Sequence, residues 1–465
     1  MRKYLAMFLV LLVAASLLGG SVSAAGKARR YTVVWGSNTV PANAKALVEA
    51  AGGTVVATMP EVGVMSVTGP AGLLNSLSAQ SSVQAVSPTI EWTVGPASSH
   101  AADAIDTTSQ SGPFLYSQFQ WDIKQVTNNG ASYQLDKGSH QTVVGIIDTG
   151  VSTQHPDLMA NLLGGRNFTP DGPGGTVVPG DIEDKYGHGS HVAGAIAGNG
   201  AILGVGPDLG FRMYRIFGAE GGAPTDRIIA AMVAAADDGV DVISMSIGGY
   251  DILSKYTWTD PDTGTVYKMS DVADFQAFKR AVKYAVDHGA VVVAAAGNDA
   301  TDIANPHAVT AMLNAEYGSL GYTFYGASRE VPGTLPGVVT VAATGPDKSP
   351  AQYTNFGPGA IDVSAPGGDF KRYPNMTPTP WYWDLCFSAY KNGGYAWMAG
   401  TSMATPKVSA VAALIIDQAK HDGRRLNPTQ VVARLQQTAI DVGKHGSDPY
   451  YGKGMVSAYA ALGGK

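Results

Sequence analysis

The sequence predicts an α/β protein, a doubly wound and mostly parallel sheet with helices on both faces, preceded by a small α+β domain. Three observations carry that prediction. Short β-branched runs flanked by glycine or polar turns recur at residues 143–147, 211–216, 240–246, 291–295 and 338–343, as expected of strands buried on both faces. Between them, residues 191–197, 225–238, 272–288 and 405–419 have helical length and composition, and that alternation implies a doubly wound arrangement. Ahead of both, residues 30–92 read strand, helix, two strands, helix, strand, with strands at 31–35, 54–57, 63–68 and 83–88 and helices at 44–51 and 71–79.

The chain has 465 residues, 45% of them hydrophobic, enough for one large core and a smaller domain. Its formal charge of −6 and the lack of any long Lys or Arg run give no sign of nucleic-acid binding. Arg2 and Lys3 precede an apolar run that ends in Val22-Ser23-Ala24, the pattern of a cleaved secretory signal peptide over residues 1–24. The run is short for a membrane span, and no later segment could serve as one, so a secreted protein free of the membrane is expected. Cys386 is the only cysteine; it allows no intrachain disulfide and, without a nearby His, reads as a packed or idle thiol.

The chemistry-bearing residues fall in three segments. Gly400-Thr401-Ser402-Met403-Ala404-Thr405-Pro406 boxes a serine among small residues at a helix start. A neutral hydroxyl is a poor nucleophile, so a base must take its proton and a buried carboxylate must orient that base. Val143-Val144-Gly145-Ile146-Ile147-Asp148-Thr149-Gly150 places Asp148 at the carboxyl end of a strand, where sites of open α/β sheets lie. His188-Gly189-Ser190-His191-Val192-Ala193-Gly194 supplies two imidazoles, and spacing alone hardly separates His188 from His191 as the base. Zinc is the weaker reading of that pair, since three-residue spacing is not that of the helical metalloprotease motif and no Glu follows His188. The chain order Asp, His, Ser excludes the α/β-hydrolase and chymotrypsin orders.

Each motif resembles the subtilisin-like serine proteases (subtilases, peptidase family S8), over a stretch from about residue 120 to the C-terminus that includes Tyr451-Gly452-Lys453-Gly454. The resemblance implies a subtilisin-like fold in which Asp148, His188 and Ser402 are catalytic and His191 is structural. It makes Asn298, in Ala294-Ala295-Ala296-Gly297-Asn298, the oxyanion-hole side chain, with the Ser402 amide as its companion. Substrate would lie extended along Gly221, Gly222 and Ala223 and along Ser246, Ile247, Gly248 and Gly249. Ala295, Ala296 and Gly297 would wall the primary pocket, and Ile228 and Ile247 would suit an apolar residue further upstream. No acidic residue in these motifs argues for a strictly basic preference. Asp184 and Tyr186 have two readings, contact with the neighbouring substrate residue or a solvated loop.

The N-terminal α+β unit resembles the family's inhibitor I9-like propeptide, a ferredoxin-like inhibitor and folding aid. The implied organisation is signal peptide 1–24, propeptide 25–97, linker 98–119 with a maturation site, and peptidase domain 120–465. Residues 97–112 are rich in Ser, Ala, Thr and Gly and read as exposed linker. Residues 1–95 carry net +3, leaving −9 for the remainder, a complementarity that favours association of the two. The expected product is a secreted, autoprocessed, monomeric serine endopeptidase working through an acyl-enzyme on protein or peptide substrates, with its propeptide as intramolecular inhibitor. The alternatives are a narrow-specificity processing protease and a catalytically silent binding protein.

The chemistry needs no cofactor. Many relatives hold structural calcium near the Asp matching Asp157, but here the facing loop, Gly198 to Gly204, has one Asn and no acid, which leaves such a site in doubt. Asp260-Pro261-Asp262-Thr263-Gly264 reads as a hairpin turn rather than a calcium loop. Three insertions stand out, at 250–270, 302–330 and 369–396. The last carries Trp381, Tyr382, Trp383, Tyr390 and Tyr395, which would either rim the substrate cleft, the preferred reading, or cap a small core of their own.

Overall fold

The computed structural model describes residues 28–93, 99–101, 112–218, 221–252, 255–269 and 272–464; the predicted signal peptide lies outside them. The N-terminal unit runs β1 (Arg29–Trp35), α1 (Ala44–Ala50), β2 (Thr54–Met59), β3 (Val64–Gly69), α2 (Leu73–Ser78) and β4 (Val83–Pro88). Its strands form an antiparallel sheet in the order β2-β3-β1-β4, the split βαβ pattern predicted for it. β5 (Glu91–Thr93) and β6 (Ser99–Ala101) follow, then α3 (Phe114–Phe119) and α4 (Trp121–Thr127).

The large domain is built on seven parallel strands, β7 (Val143–Asp148), β8 (Leu162–Asn167), β9 (Gly210–Arg215), β11 (Val242–Met245), β15 (Val291–Ala295), β18 (Val338–Thr344) and β19 (Val363–Pro366), in the order β19-β18-β15-β11-β7-β9-β8. The numbers skipped belong to β10 (Gly222–Pro224), β12 (Gly249–Ile252), β13 (Tyr256–Thr259), β14 (Val266–Met269), β16 (Tyr322–Phe324) and β17 (Ser328–Val331), which lie outside the main sheet. Both of its faces are covered, which is why its strands are continuously apolar. Val144, Ile146, Val242, Val291 and Val293 face α5 (His188–Ala197) and α9 (Thr401–His421); Ile147, Ile243, Met245, Val292 and Ala294 face α6 (Thr225–Asp237) and α7 (Ala273–Asp287). The core cluster on the α6 and α7 side runs on into Tyr31, Val33 and Trp35 of the N-terminal unit, so one apolar core spans both. β8 and β19 escaped the sequence reading because one carries two glycines and the other is four residues long and ends in Pro366.

Contacts between the two units are dense and partly ionic. Arg280 of α7 donates to the carbonyls of Trp35 (2.7 Å), Ser37 (3.2 Å), Val62 (3.0 Å) and Gly63 (3.4 Å), and to the Gln84 side chain. Arg30 pairs with Asp226, and Arg29 with Asp260 and Asp262 while lying 5.4 Å from the Trp258 ring. These pairs agree with the opposite charges of the two parts. They also give the first insertion a role: its hairpin, β13 and β14 with residues 260–264 in the turn, joins β16 in a three-stranded sheet against the N-terminal unit.

Two expectations are corrected. Residues 97–112 are not linker throughout: Ser99–Ala101 pairs antiparallel with β21 (Tyr395–Met398), which itself pairs with β20 (Cys386–Ala389), while residues 94–98 and 102–111 lie outside the described residues. β21 is thus the central strand of a three-stranded sheet, β20-β21-β6, a pairing that composition alone does not reveal. The aromatic insertion mainly makes its own core: the Phe119 ring lies 5.3 Å from Trp383, 5.0 Å from Phe387 and 5.3 Å from Trp397. Tyr390 does reach the cleft, its ring resting against Gly187 beside His188. Among the described residues no helix is long and apolar enough to cross a membrane.

Candidate active site

Asp148 is the last residue of β7 and fully buried; His188 opens α5 and is 4% exposed. They meet with His188 Nδ1 2.7 Å from Asp148 Oδ1, which also accepts the Thr149 amide at 2.7 Å. Burial alone would lower the His188 pKa. The Asp148 carboxylate, as charge and as acceptor, with Asp184 behind it, outweighs burial and holds the ring above the usual histidine value. His191 is the opposite case. It is buried with Nε2 3.0 Å from the Cys386 carbonyl, and burial, helped by the nearby Lys407 charge, pushes its pKa down to about 3. An imidazole held neutral in this way cannot cycle its proton near neutrality, which separates it from His188.

Asp184, placed by the sequence either beside substrate or in solvent, does neither. It is 2% exposed, and its carboxylate accepts the amides of Tyr186 (2.9 Å), Gly187 (2.7 Å) and Ser190 (2.9 Å), the Ser190 hydroxyl (2.6 Å) and the Thr149 hydroxyl (2.9 Å). It therefore satisfies the orphan donors at the start of α5 and ties that helix to the segment after Asp148. The missed signal was a carboxylate a few residues ahead of a helix with no capping side chain of its own.

Ser402 sits in the first turn of α9, half-buried. Its hydroxyl donates to the Ser246 carbonyl at 3.0 Å, and the Ser246 hydroxyl donates to the Ser402 carbonyl at 2.8 Å. Pro406 explains the second bond: four residues along the helix it has no N–H to give to that carbonyl, so a side chain from the end of β11 supplies the donor. Ser246, expected along the substrate edge, thus also contacts the nucleophile candidate directly.

Asn298 follows β15. Its Oδ1 accepts the Thr401 amide (2.8 Å) and hydroxyl (3.0 Å), which fixes the carboxamide with Nδ2 as the remaining donor. Asn355, which sequence reasoning missed, holds the turn: its Nδ2 donates to the Ala296 carbonyl at 2.8 Å and its Oδ1 accepts from Asp299 and Thr301. A Cβ on Gly400 would stand 3.5 Å from the Ser402 amide nitrogen and 3.7 Å from Asn298 Nδ2. Glycine thus leaves open the space between these two donors. Gly400→Ala is expected to lower kcat by about 100-fold with KM little changed, the size of losing one oxyanion donor, which steady-state kinetics on a peptide ester would check.

One of the two predicted substrate edges, that at Gly222 and Ala223, is paired with the chain's own β5. β5 lies antiparallel on β10, with Thr93 opposite Gly222, Trp92 opposite Ala223 and Glu91 opposite Pro224. Trp92 packs on Phe278 at 5.2 Å and donates to the Thr225 hydroxyl at 2.9 Å, while the Ile90 amide donates to Asp274 at 2.8 Å. Ile228 and Ile247 are buried nearby in the same core. One acid outside the quoted motifs, Glu330, lies close to Gly248. It is fully buried on β17, and its Oε1 would lie 3.3 Å from a Cβ on Gly248. Because β17 lies outside the four motifs that suggested the site, sequence proximity could not reveal it.

A buried ion pair underlies α9. Lys407 and Asp122, 0% and 2% exposed, meet at 2.8 Å; the ammonium also donates to the Met403 carbonyl at 2.9 Å and lies 3.6 Å from Cys386 Sγ. The thiol is buried and its pKa is raised by that burial. Asp157 does not suit a calcium ion: its carboxylate accepts the amides of Ala201 (3.0 Å) and Ile202 (3.1 Å) and the Tyr395 hydroxyl (2.9 Å), donors standing where a cation would have to be. Among the described residues one acid and histidine cluster, Asp136, Asp417 and His421, is close enough to share an ion; it lies at the far end of α9 from Ser402.

A carboxylate oriented on an imidazole, a serine at a helix start and a fixed carboxamide donor, at the carboxyl edge of a parallel sheet, are the groups a serine hydrolase of the α/β class uses. Comparison with known proteins gives the family. Residues 139–454 match the subtilase family, Peptidase_S8, and the chain belongs to it, and with it to the serine-type endopeptidases. The chain is 37% identical over 314 residues to the nisin leader peptide-processing serine protease NisP of Lactococcus lactis subsp. lactis, covering 64% of this chain and 44% of that protein. It is 27% identical over 419 residues to the epidermin leader peptide-processing serine protease EpiP of Staphylococcus epidermidis, covering 87% of each. Among solved structures, EpiP from Staphylococcus aureus superimposes with a TM-score of 0.78 at 30% identity, covering 94% of this chain and 98% of that one. NisP from Lactococcus lactis gives 0.66 at 33%, covering 76% and 96%.

Proposed function

We propose that the chain is a secreted processing endopeptidase of the leader-peptidase type, made as a zymogen whose N-terminal unit occupies its own substrate cleft. The observation that carries this reading is β5 lying along β10: the stretch that leaves the N-terminal unit takes the antiparallel course expected of a bound peptide. Similarity over nearly the whole chain to an epidermin leader protease supports it, as does the opposite charge of the two units. Residues 1–24 would direct export and be removed.

In the proposed mechanism His188 takes the Ser402 proton as the hydroxyl leaves Ser246 and attacks the scissile carbonyl. Asp148 holds the imidazole in the tautomer with its proton on Nδ1 and stabilises the imidazolium that forms. Asn298 Nδ2 and the Ser402 amide receive the oxyanion, and His188 returns its proton to the leaving amine. Water then repeats the sequence on the acyl-enzyme.

Wild type and Ser402→Ala should be compared for release of the N-terminal unit, labelling by a fluorophosphonate, and cleavage of a single leader-peptide sequence against denatured casein. Maturation and labelling are expected in wild type alone, with the leader sequence cut far faster than casein. A wild type that neither matures nor labels removes the reading; equal attack on casein replaces it with a general degradative protease.

A further inference from the structure

We propose that Asp136, Asp417 and His421 bind zinc or a similar divalent transition-metal ion, as a structural cross-link between the C-terminal end of α9 and the turn at 136–139. Asp417 and His421 lie four residues apart on α9 and so share one face of it. The turn is tied to that face by the Ser139–Asp417 hydrogen bond and brings up Asp136, so that one ligand atom from each of the three residues lies within 4.8 Å of the others. The two carboxylates are prepared alike. Each has one oxygen held by a donor of the turn, Asp136 Oδ1 by the Gly138 amide at 2.8 Å and Asp417 Oδ1 by the Ser139 hydroxyl at 2.7 Å. Each turns its second oxygen to the His421 ring.

Those second oxygens call for a cation. The Asp417 side chain is 0% exposed and its Oδ2 accepts no hydrogen bond, while the Asp136 side chain is only 8% exposed. Two carboxylates this deep repel each other unless positive charge stands between them, and the negative dipole end of α9 adds to the demand. Lys420, on the same turn of helix, is committed to Asp241 at 2.7 Å and to the Gln141 carbonyl at 2.7 Å. An imidazolium at His421 is the rival cation. Its nitrogens stand 3.8 Å from Asp136 Oδ2 and 3.5 Å from Asp417 Oδ2, however, where a charge-assisted hydrogen bond would draw them to about 2.8 Å. Such separations suit a shared metal, since ligand atoms about 2.1 Å from a tetrahedral zinc stand about 3.4 Å from one another. A neutral imidazole and two carboxylates balance a divalent ion, and the nitrogen ligand favours zinc and its transition-metal neighbours over calcium or magnesium. The His421 side chain is 50% exposed, which gives the ion a way in and leaves room for water as fourth ligand.

The site is tested by titrating zinc chloride, read by calorimetry, into the full chain carrying Ser402→Ala, which prevents self-digestion. The protein should carry no histidine tag and be stripped beforehand with a chelator. One zinc per chain is expected, and cobalt(II) in its place should give the visible absorption of a four-coordinate site. Zinc at about a hundredfold excess over its Kd should raise the unfolding midpoint by about 2–4 °C. His421→Ala changes a half-exposed side chain and leaves the core intact. It should weaken zinc binding by about 100-fold or more, the upper end of what even outer-shell partners contribute, and abolish the rise in midpoint. Asp136→Asn should do the same. No zinc binding, zinc binding unchanged by His421→Ala, or calcium bound more tightly than zinc overturns the proposal. In the first case an imidazolium alone neutralises the two acids, and His421→Ala then destabilises the chain with no metal present.

Discussion

Asp148→Asn is expected to lower kcat by about ten-thousand-fold with KM changed only a few-fold. The substitution preserves shape, and an amide oxygen can still accept the Thr149 amide. What it cannot do is accept from His188 Nδ1 with a full negative charge. An amide group turned the other way donates to that nitrogen, so the ring keeps its proton on Nε2, the atom that must receive the Ser402 proton. The pH profile gives a second readout with a definite sign. Wild-type activity should rise as the His188 imidazolium loses its proton, with a midpoint above the usual histidine value because the facing carboxylate favours the charged ring. Without that carboxylate, burial acts against the charge with only Asp184 opposing it, and the acid limb moves to lower pH. Stopped assays from pH 4 to 9 on the purified variant test both statements; a near-wild-type kcat would remove Asp148 from the catalytic group.

The second large effect concerns stability. Asp122→Asn should destabilise the enzyme by about 3–5 kcal/mol, because it leaves the Lys407 ammonium buried with no counter-charge, facing only neutral oxygens and a thiol. Lys407→Met should cost a similar amount by stranding Asp122. The double variant Asp122→Leu/Lys407→Met should come back to within about 1 kcal/mol of wild type, since a buried pair contributes little beyond what well-packed apolar groups would. Denaturant midpoints, or inactivation half-lives at fixed temperature if unfolding is irreversible, measure the three variants against wild type. Single and double variants that are equally unstable would mean that packing rather than charge governs the site.

Legibility in the sequence followed the range of the interactions. The sheet strands β7, β9, β11, β15 and β18 were readable because strands covered on both faces must be apolar along their whole length. Asp148, His188, Asn298 and Ser402 could be singled out because each lies in a short stretch whose small neighbours let backbones approach. His188 could be separated from His191 only in three dimensions, where one ring faces a carboxylate and the other a carbonyl in a cationic neighbourhood. Asp184 was misread because a carboxylate that binds backbone amides looks, in sequence, like any loop acid. Glu330 was missed because it lies on β17, a strand the sequence reading did not predict, and only the pairing of β17 with β12 brings it beside Gly248. The strand at Ser99–Ala101 was hidden for a related reason: its partner β21 lies almost three hundred residues away, and a three-residue Ser-His-Ala run carries no alternation of its own.

Arg280 grips four main-chain oxygens, and these belong to three separated points of the N-terminal unit, the end of β1, the turn after it and the turn before β3. Any amino acid has a carbonyl, so this clasp is blind to composition. It responds to shape, because those oxygens converge only once the four strands have assembled. The N-terminal unit can therefore drift in sequence while its architecture stays under surveillance, and a half-assembled unit would lose this grip.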